Sequence, residues 1–549
     1  MLTITINGKK ELVEEHSKVK SLFSDQQRVS YDDNPIVGAL VNGDLVSLED
    51  SLDGDAAVEP VLLFSPSGTR IYRHSICFLL CYAVHKLYPQ RHLVIGHSLG
   101  DGYYFTFDDD YITTNATIDE LAQKMKQIVN QALPIGKVKV PYQKAVEYFS
   151  SYSRSASSLL LAYSNRPSIE LFTVDDFMDL AYEPLVPSTF MLSNWDLMLY
   201  EINGMLLRYP QTGKGFKIGP FHDNPLLFSV FKEYRQWSAI LGVQSLGQLN
   251  EICANGGIRQ YIRLSESLQA RKIGQIADAI ADRPTRAVFI AGPSSSGKTT
   301  FAKKLCIQLK MLGFAAKRIS LDDYYLPKDQ VPRDEDGKPD LEAFEALDIP
   351  LFQDNLAALY DGEAVDLPKY DFKNRYYENK PYQLNDSSIL VIEGIHALNE
   401  KLVPLIEKDT IFKIYISALT QINLDDHNRI STTDNRLIRR LVRDYLTRGA
   451  SALDTLNMWP SVQRGEKKHI FPNQNNADVI LNSALDYELC VLESFAEPLL
   501  KTIKPQDGES YVLSRRLLSF LDNIHPVSSD LVPSDSLLRE FIGGSEFEE

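Results

Sequence analysis

Eight consecutive residues, Gly292-Pro293-Ser294-Ser295-Ser296-Gly297-Lys298-Thr299, constrain the fold of this chain more than any other stretch. They fit G-x-x-x-x-G-K-[ST]. They follow an apolar run, Val288-Phe289-Ile290-Ala291, and precede a segment with apolar residues at Phe301, Leu305, Leu309 and Leu312. The first pattern predicts a buried strand and the second a helix. Between them, glycines let the backbone curl so that its N–H groups face an anion, and the helix N-terminus adds partial positive charge. Lys298 would then reach the β- and γ-phosphates of a nucleotide, and the Thr299 hydroxyl would join the shell of Mg²⁺. The candidate ATP-binding positions are Gly292, Ser294, Ser295, Ser296, Gly297, Lys298, Thr299 and Thr300. An incidental glycine-rich turn would not need a strand before it and a helix after it. By itself the loop leaves motor, switch, ATPase and small-molecule kinase open.

The same alternation continues beyond Pro284. Apolar runs at Ala287–Ala291, Lys317–Leu321, Ile389–Ile392, Ile411–Ile416 and Ala477–Leu481 are separated by stretches long enough for helices. This predicts a parallel sheet covered on both faces. Two strands run into acids. Asp322 follows Ser320-Leu321, where a carboxylate at a strand's carboxyl end projects into the ligand crevice, as a proton acceptor or toward Mg²⁺. A helix-capping or turn aspartate is the plainer reading. Glu393 follows Ile389-Leu390-Val391-Ile392, and its burial would be costly without a partner such as Mg²⁺.

Arg436, Arg439, Arg440 and Arg443 fall at i, i+3, i+4 and i+7 and share one helix face. In a chain of net charge −16 such a cluster calls for an anion. Phosphoryl oxygens are one answer. An ion-pair network with Asp425, Asp426 and Asp444 is the other.

With these motifs in order, residues 286 to about 490 resemble the uridine kinase branch of the phosphoribulokinase/uridine kinase family. The matching stretches are Gly292–Thr300, Leu321–Tyr325, Leu347-Asp348-Ile349-Pro350, Pro368-Lys369-Tyr370-Asp371-Phe372, Val391–Ile395, Asp434–Gly449 and Ala477-Asp478-Val479-Ile480. The resemblance implies ATP and Mg²⁺, with Asp322 as general base for a ribose 5′-hydroxyl and near the metal. It implies that Asp348 holds the ribose 2′- and 3′-hydroxyls, that Tyr370 lines the base pocket and that Glu393 belongs to the metal shell. Arg436 and Arg439 would sit in a mobile lid over sugar and phosphates, which makes them, with Asp322 and Lys298, the catalytic candidates. One departure concerns the base. Where the family usually has a histidine, this chain has Arg375, longer, always charged and donor-only.

Upstream, residues 1–65 resemble a TGS domain, carried by Gly38–Val46 and Leu52-Asp53-Gly54-Asp55. A strand is expected at Leu2–Ile6 with a turn at Asn7-Gly8, a second at Ile36–Val41 and a third at Val58–Phe64. Residues from about 70 to 205 resemble the second additional, editing-type domain of threonyl-tRNA synthetases, through Arg73-His74-Ser75, Ile95-Gly96, Asp101–Phe105 and Pro184–Thr189. A helix beginning at Ile71 ends at Pro89. The editing chemistry implied by that resemblance uses two histidines spaced H-x-x-x-H, a cysteine and a last histidine. Here His74 keeps the first place, while Phe78, Ala181 and Leu185 stand at the other three. One ligand of four neither holds a metal nor runs the hydrolysis. This half is therefore expected to be catalytically disarmed, with His74 a structural hydrogen-bonding residue and RNA or a regulatory ligand as its partner if it has one.

At 549 residues the chain is long enough for several units. The expected division is a TGS-like β-grasp domain (1–65), a synthetase-like α+β domain (66–215), a helical connector (216–284), the P-loop kinase domain (285–505) and a tail (506–549) that ends in a helix at Ser536–Phe541. The net charge argues against a whole-protein role on nucleic acid or anionic lipid. Five scattered cysteines have no zinc or disulfide-framework spacing, and Cys77 and Cys81 suit packing. No apolar run approaches the ~18–20 residues that cross a bilayer, and no secretion signal opens the chain, so a cytoplasmic protein is expected. The sequence thus predicts a nucleoside kinase that phosphorylates a ribonucleoside-like acceptor. The alternatives are an ATP-sensing or RNA-binding regulator without turnover, and a kinase of another small alcohol or sugar phosphate. Homo-oligomerisation is left open.

Overall fold

Strand Leu2–Ile6 pairs antiparallel with Lys9–Val13 and parallel with Ala56–Leu62, which in turn carries Ile36–Val41 and, at the edge, Asp44–Val46. Ile4, Val19, Leu48, Leu52 and Val58 close the core beneath this mixed five-stranded sheet. The two strands that hydropathy does not announce, Lys9–Val13 and Asp44–Val46, are its edges. Polar side chains suit an edge, where they discourage pairing with other chains. The computed structural model describes the chain except residues 7, 25–33, 110, 153, 202, 212–215, 328, 335–336, 372–375, 403–406 and 548–549, and gives backbone only for Tyr370, Asp371 and 376–380. The expected turn at Asn7-Gly8 and the position of Arg375 therefore lie partly or wholly outside the described residues.

The first long helix runs from Pro66 to Leu87, starting five residues before Ile71. Ser65 caps it by accepting from the Gly68 N–H at 3.1 Å, and Pro66 takes the first helical position, where no N–H is needed. The helix packs with Asn115–Asn130 against a four-stranded antiparallel sheet built from Leu93–Leu99, Gly102–Phe107, Asp196–Tyr200 and Gly204–Arg208. A smaller sheet holds Gly136–Pro141, Ser168–Val174 and Phe177–Leu180. Three helices follow, Pro225–Leu241, Leu246–Ala254 and Ile258–Ala281, filling the region expected to be helical.

The last sheet is parallel throughout. Its order is Ala315–Ser320, Ser388–Glu393, Ala287–Ala291, Ile411–Ser417, Val479–Asn482. All five strands match the predicted runs to within two residues at most ends. Alternate side chains serve opposite faces. Val288, Ile290, Val391 and Ile414 pack with Phe301 and Leu305 of the helix Lys298–Met311 and with Ile273 and Ile276. Phe289, Leu390, Ile392 and Tyr415 meet Phe231, Tyr234 and Phe352 on the other side. Truncating a fully buried residue such as Phe289 to alanine would cost about 3–5 kcal/mol. A hairpin, Val365–Asp371 with Tyr376–Tyr382, is an addition that the sequence reading did not contain.

The region from 506 onward is part of the core. Helices Glu509–Leu521 and Arg539–Ile542 pack with Glu488–Leu500 around the helix Thr432–Arg448, burying Leu517, Leu538 and Phe541 against Leu437 and Leu441. The final helix is shorter than the expected Ser536–Phe541 and stops at Gly543, whose φ is 79°. Among the described residues no helix is long and apolar enough to cross a membrane.

Candidate active site

The loop Gly292–Gly297 leaves strand Ala287–Ala291 and enters helix Lys298–Met311 through Gly297 at φ 83°. At Gly292 a Cβ would lie 2.0 Å from the Ile416 carbonyl oxygen, so only glycine lets the loop pass the neighbouring strand. The Lys298 ammonium folds back on the carbonyls of Gly292 and Pro293, at 3.0 and 3.2 Å. The hydroxyls of Ser295 and Ser296 are buried in the loop and lack a partner among the described residues. A cradle with buried donors awaiting acceptors fits a phosphate chain.

Strand register brings the acids to the same edge. Glu393 pairs with Ile290 on one side and Ser320 on the other, so the carboxyl ends of three adjacent strands meet here. Glu393 is 3% exposed, and its Oε1 accepts from Thr299 Oγ1 at 3.3 Å and from Arg318 at 3.0 Å. Burial, and then the charge of Asp322, push its carboxyl above the usual range. Asp322 occupies the turn Leu321–Tyr324 that follows strand Ala315–Ser320, and its N–H donates to Ser320 Oγ at 3.4 Å. Among the described residues no group of three His, Cys, Asp or Glu side chains is arranged to hold a metal ion. The hydroxyl of Thr299 with Glu393 and Asp322 is nevertheless a hard-oxygen set suited to Mg²⁺, which takes one or two carboxylates and completes its octahedron with water and phosphate.

Asp348 caps the helix Ile349–Tyr360, accepting from the Leu351 N–H at 3.1 Å, while its own N–H donates to the Tyr324 carbonyl at 2.8 Å. It is thereby tied to the turn that holds Asp322. The backbone of Tyr370 lies in the hairpin, opposite Tyr377. Arg375 is outside the described residues.

The arginine helix Thr432–Arg448 does not stand over the loop as a lid. It runs through the core, with Arg436 2% and Arg439 0% exposed. Arg436 donates to the Ser294 carbonyl at 3.0 Å and pairs with Glu466 through both terminal nitrogens. Arg439 donates to the Ser483 carbonyl at 2.8 Å, pairs with Glu488 and reaches the Ser295 carbonyl at 3.4 Å. Arg440 donates to Ser294 Oγ at 2.7 Å, and both it and Arg443 pair with Asp444. Buried guanidinium groups need such carboxylates to offset desolvation. The anions that meet the cluster are thus Glu466, Glu488 and Asp444. Asp425 and Asp426 face elsewhere, Asp426 accepting from Ser157 N and Oγ at 2.9 and 2.8 Å.

Three carboxyl groups at the loop escape a reading of the sequence. Glu466 accepts from the Ser294 N–H at 3.1 Å. Glu540 accepts from the Thr300 N–H at 3.1 Å and its hydroxyl at 2.8 Å. Glu342 is pushed up to about 7, chiefly by burial and then by Glu466, with Lys298 and Asp322 also acting on it. None of the three sits in a motif or at a strand end that would mark it.

Residues 287–489 match the Phosphoribulokinase / Uridine kinase family. This kinase-family segment contains the loop, the acid-tipped strands and the arginine helix. The amino-terminal region is similar to threonine–tRNA ligases. That of Desulforamulus reducens is 33% identical over 159 residues, 29% of this chain and 25% of the ligase. That of Methylococcus capsulatus is also 33% identical over 159 residues, with the same coverage. The chain spans about a quarter of the length of these ligases. Among solved structures, a possible uridine kinase from Bacillus stearothermophilus is 19% identical, covering 39% of this chain and 98% of its own, with a TM-score of 0.27.

In the ligase-like half, His74, Phe78 and Leu185 line one small chamber. The His74 ring makes no hydrogen bond among the described residues, unlike the hydrogen-bonding role expected of it, and burial lowers its pKa below the ordinary imidazole value. All five cysteines are buried and free, as packing residues should be.

Proposed function

We propose that this chain transfers the γ-phosphate of ATP to the 5′-hydroxyl of a ribonucleoside. The observation that carries this reading is the meeting of Lys298, Thr299, Glu393 and Asp322 where three parallel strands end. In this reading Lys298 leaves its two loop carbonyls for β- and γ-phosphate oxygens, and the loop N–H groups hold the phosphate chain. Thr299, Glu393 and Asp322 would hold Mg²⁺, which neutralises charge on the transferring phosphate. Asp322 accepts the proton of the attacking hydroxyl as its oxygen bonds to the γ-phosphorus and the bond to ADP breaks. Arg436 and Arg439, saturated by carboxylates and loop carbonyls, act here as positioning residues that brace the loop from behind. Asp348 is assigned to the ribose hydroxyls, and Tyr370 with Arg375 to the base. The boundaries near 65, 215, 284 and 505, and a cytoplasmic setting, belong to the same proposal.

A second reading, an ATP-responsive regulator without turnover, draws on one observation: Glu466 and Glu540 already engage loop and helix donors. Release of ADP from Mg-ATP, measured against ribonucleosides, deoxynucleosides, sugar phosphates and pantothenate, separates the two. Acceptor-dependent release with uridine or cytidine supports the proposal. Release with another acceptor keeps the kinase and reassigns the pocket. ATP binding without release from any acceptor supports the regulator.

A further inference from the structure

A cleft of about 630 Å³ opens between the edge strand Asp44–Val46, the helix Pro66–Leu87, the start of the arginine helix and the helix Glu509–Leu521. Its volume is that of small-molecule sites, roughly 300–1,000 Å³. Seven cationic residues line it against four carboxylates. The carboxylates are taken up by four of the cations: Glu183 pairs with Arg70 at 2.8 Å and also with Arg516 at 3.9 Å, Asp50 with Lys137 at 2.8 Å, Asp44 with Arg515 at 2.7 Å and Asp434 with Arg516 at 2.6 Å. Three cations are left over. The side chains of Arg73, Arg429 and Lys467 have no ion pair or hydrogen bond among the described residues.

Two of the three are held in place without an anion. Arg73 lies over the Tyr209 ring, 4.5 Å from its centroid, and Arg429 over Tyr103 at 5.7 Å. The tyrosines pack on each other with centroids 5.0 Å apart. The aromatic pair thus forms a platform that carries one guanidinium on each ring and fixes both before any ligand arrives. Arg73 Nε is buried with nothing among the described residues to accept its proton. A donor so placed is costly unless a ligand meets it.

Behind the platform the cleft continues into a chamber of about 110 Å³, lined on its apolar side by Cys77, Phe78, Phe172 and Leu185. His74, Tyr103 and Arg429 border both spaces. Cys77 and Ser431 also face the chamber, but burial keeps the Cys77 thiol protonated. Among the described residues no His, Cys, Asp and Glu side chains form a metal-ligand set, so an occupant would be bound and not transformed.

We propose that this cleft binds a small phosphate monoester, its phosphate on Arg73 and Arg429 and its apolar body in the chamber behind them. A phosphate dianion matches two guanidinium forks with a lysine nearby better than a single carboxylate does. The net charge of −16 favours a small anion, which feels the local field of the cleft, over RNA, whose backbone meets the whole surface. Arg429 belongs to the kinase-family segment and Arg73 to the ligase-like half. The site therefore exists only where the two are joined.

The test is isothermal titration of the full chain with inorganic phosphate, phenyl phosphate, phenol and a 5′-phosphorylated RNA oligonucleotide. Phenyl phosphate is expected to bind more tightly than phosphate, and phenol not at all. Arg73→Gln and Arg429→Gln should each weaken phenyl phosphate by about tenfold or more, as for a lost charge-assisted hydrogen bond. Lys298→Ala should leave that binding unchanged, which separates the cleft from the loop at Gly292–Gly297. Arg429→Lys, which keeps the charge, should retain part of the affinity and shows that loss in the glutamine variant is not misfolding. The proposal is overturned if neither phosphate nor phenyl phosphate binds, if binding survives both glutamine substitutions, if Lys298→Ala abolishes it, or if only the RNA binds.

Discussion

One oxygen of Glu540 accepts both the backbone N–H and the hydroxyl of Thr300, the third residue of the helix that follows the phosphate-binding loop. These donors sit at a helix N-terminus, where negative charge is favoured. A nucleotide phosphate and the Glu540 carboxylate would therefore compete for the same two hydrogens. Glu540 is set in place by its own short helix, whose Phe541, with Leu538 just before it, is fully buried. Replacing Glu540 by Gln keeps the shape and removes the charge. Nucleotide affinity should rise by about tenfold, the equivalent of one charge-assisted hydrogen bond. Titration with a non-hydrolysable ATP analogue checks this, and an unchanged Kd would mean that the carboxylate swings away at no cost.

Lys298 and Asp322 should separate binding from chemistry. Lys298→Ala removes a charge that meets the phosphates in ground and transition states, so both nucleotide affinity and transfer should fall. Asp322→Asn keeps the side chain's size but cannot take a proton, so transfer should fall with affinity little changed. Each loss is expected to be about 10²–10³ in rate. Near-normal turnover by Asp322→Asn would remove it as the base and direct attention to Glu342, the neighbouring carboxyl already pushed up to about 7.

The parallel sheet was legible because its strands are buried on both faces and so appear as apolar runs. Glu393 stood out for the same reason, as an acid at the end of four such residues. The edge strands Lys9–Val13 and Asp44–Val46 carry no such signal, since one side of an edge meets water. The arginine helix was legible as a face but not as a contact surface. Whether four guanidinium groups meet phosphate or carboxylate depends on Glu466 and Glu488, which periodicity cannot place. Glu466 touches Ser294 across 172 positions and Glu540 touches Thr300 across 240. Contacts at such separations arise from packing of the segment Glu466–Ile470 and of the final helix against the loop, and no local pattern encodes them.

Glu342 sets a pH dependence of stability. Its folded-state pKa of about 7 lies above the ordinary 4.5, so the folded protein holds this proton more tightly than the unfolded chain. The unfolded state releases it first as pH rises, and folding stability falls from about pH 4.5 until the folded pKa is passed. Glu393, raised in the same direction by burial and Asp322, adds to that slope. Glu342→Gln mimics the protonated form. It should match the wild type near about pH 5 and be more stable near about pH 8, as read from thermal unfolding across pH. Equal stability at both ends would show that water or a bound cation already compensates the charge.

The ligase-like half and the kinase-family segment are locked by a buried charge cluster, and one arginine should control it. Arg154 pairs with Asp179 at 2.5 Å, and Asp179 also accepts from His427, on the kinase-family segment, at 2.7 Å. Although burial alone would raise the Asp179 carboxyl, Arg154 and His427 hold it well below the usual carboxylate range. Beside it Asp425 is pushed up to about 7, chiefly by burial and by Asp179. Arg154→Ala leaves the buried Asp179 with no guanidinium, held by His427 and the Leu180 N–H. Breaking one partner of a buried pair typically costs about 3–5 kcal/mol. The stabilising contribution of Asp179 is present above the pKa it has in the unfolded chain and fades as pH falls through its lower folded value. The alanine variant should therefore lose most stability near neutral pH and less under acid, in denaturant titrations of the full chain. Arg154→Lys, which restores a charge but not the fork, should recover part of the loss. If Arg154→Ala unfolds like the wild type at neutral pH, the two halves are held by their apolar contacts and by bonds such as those from Ser157 to Asp426, and the Arg154–Asp179 pair serves only to set their register.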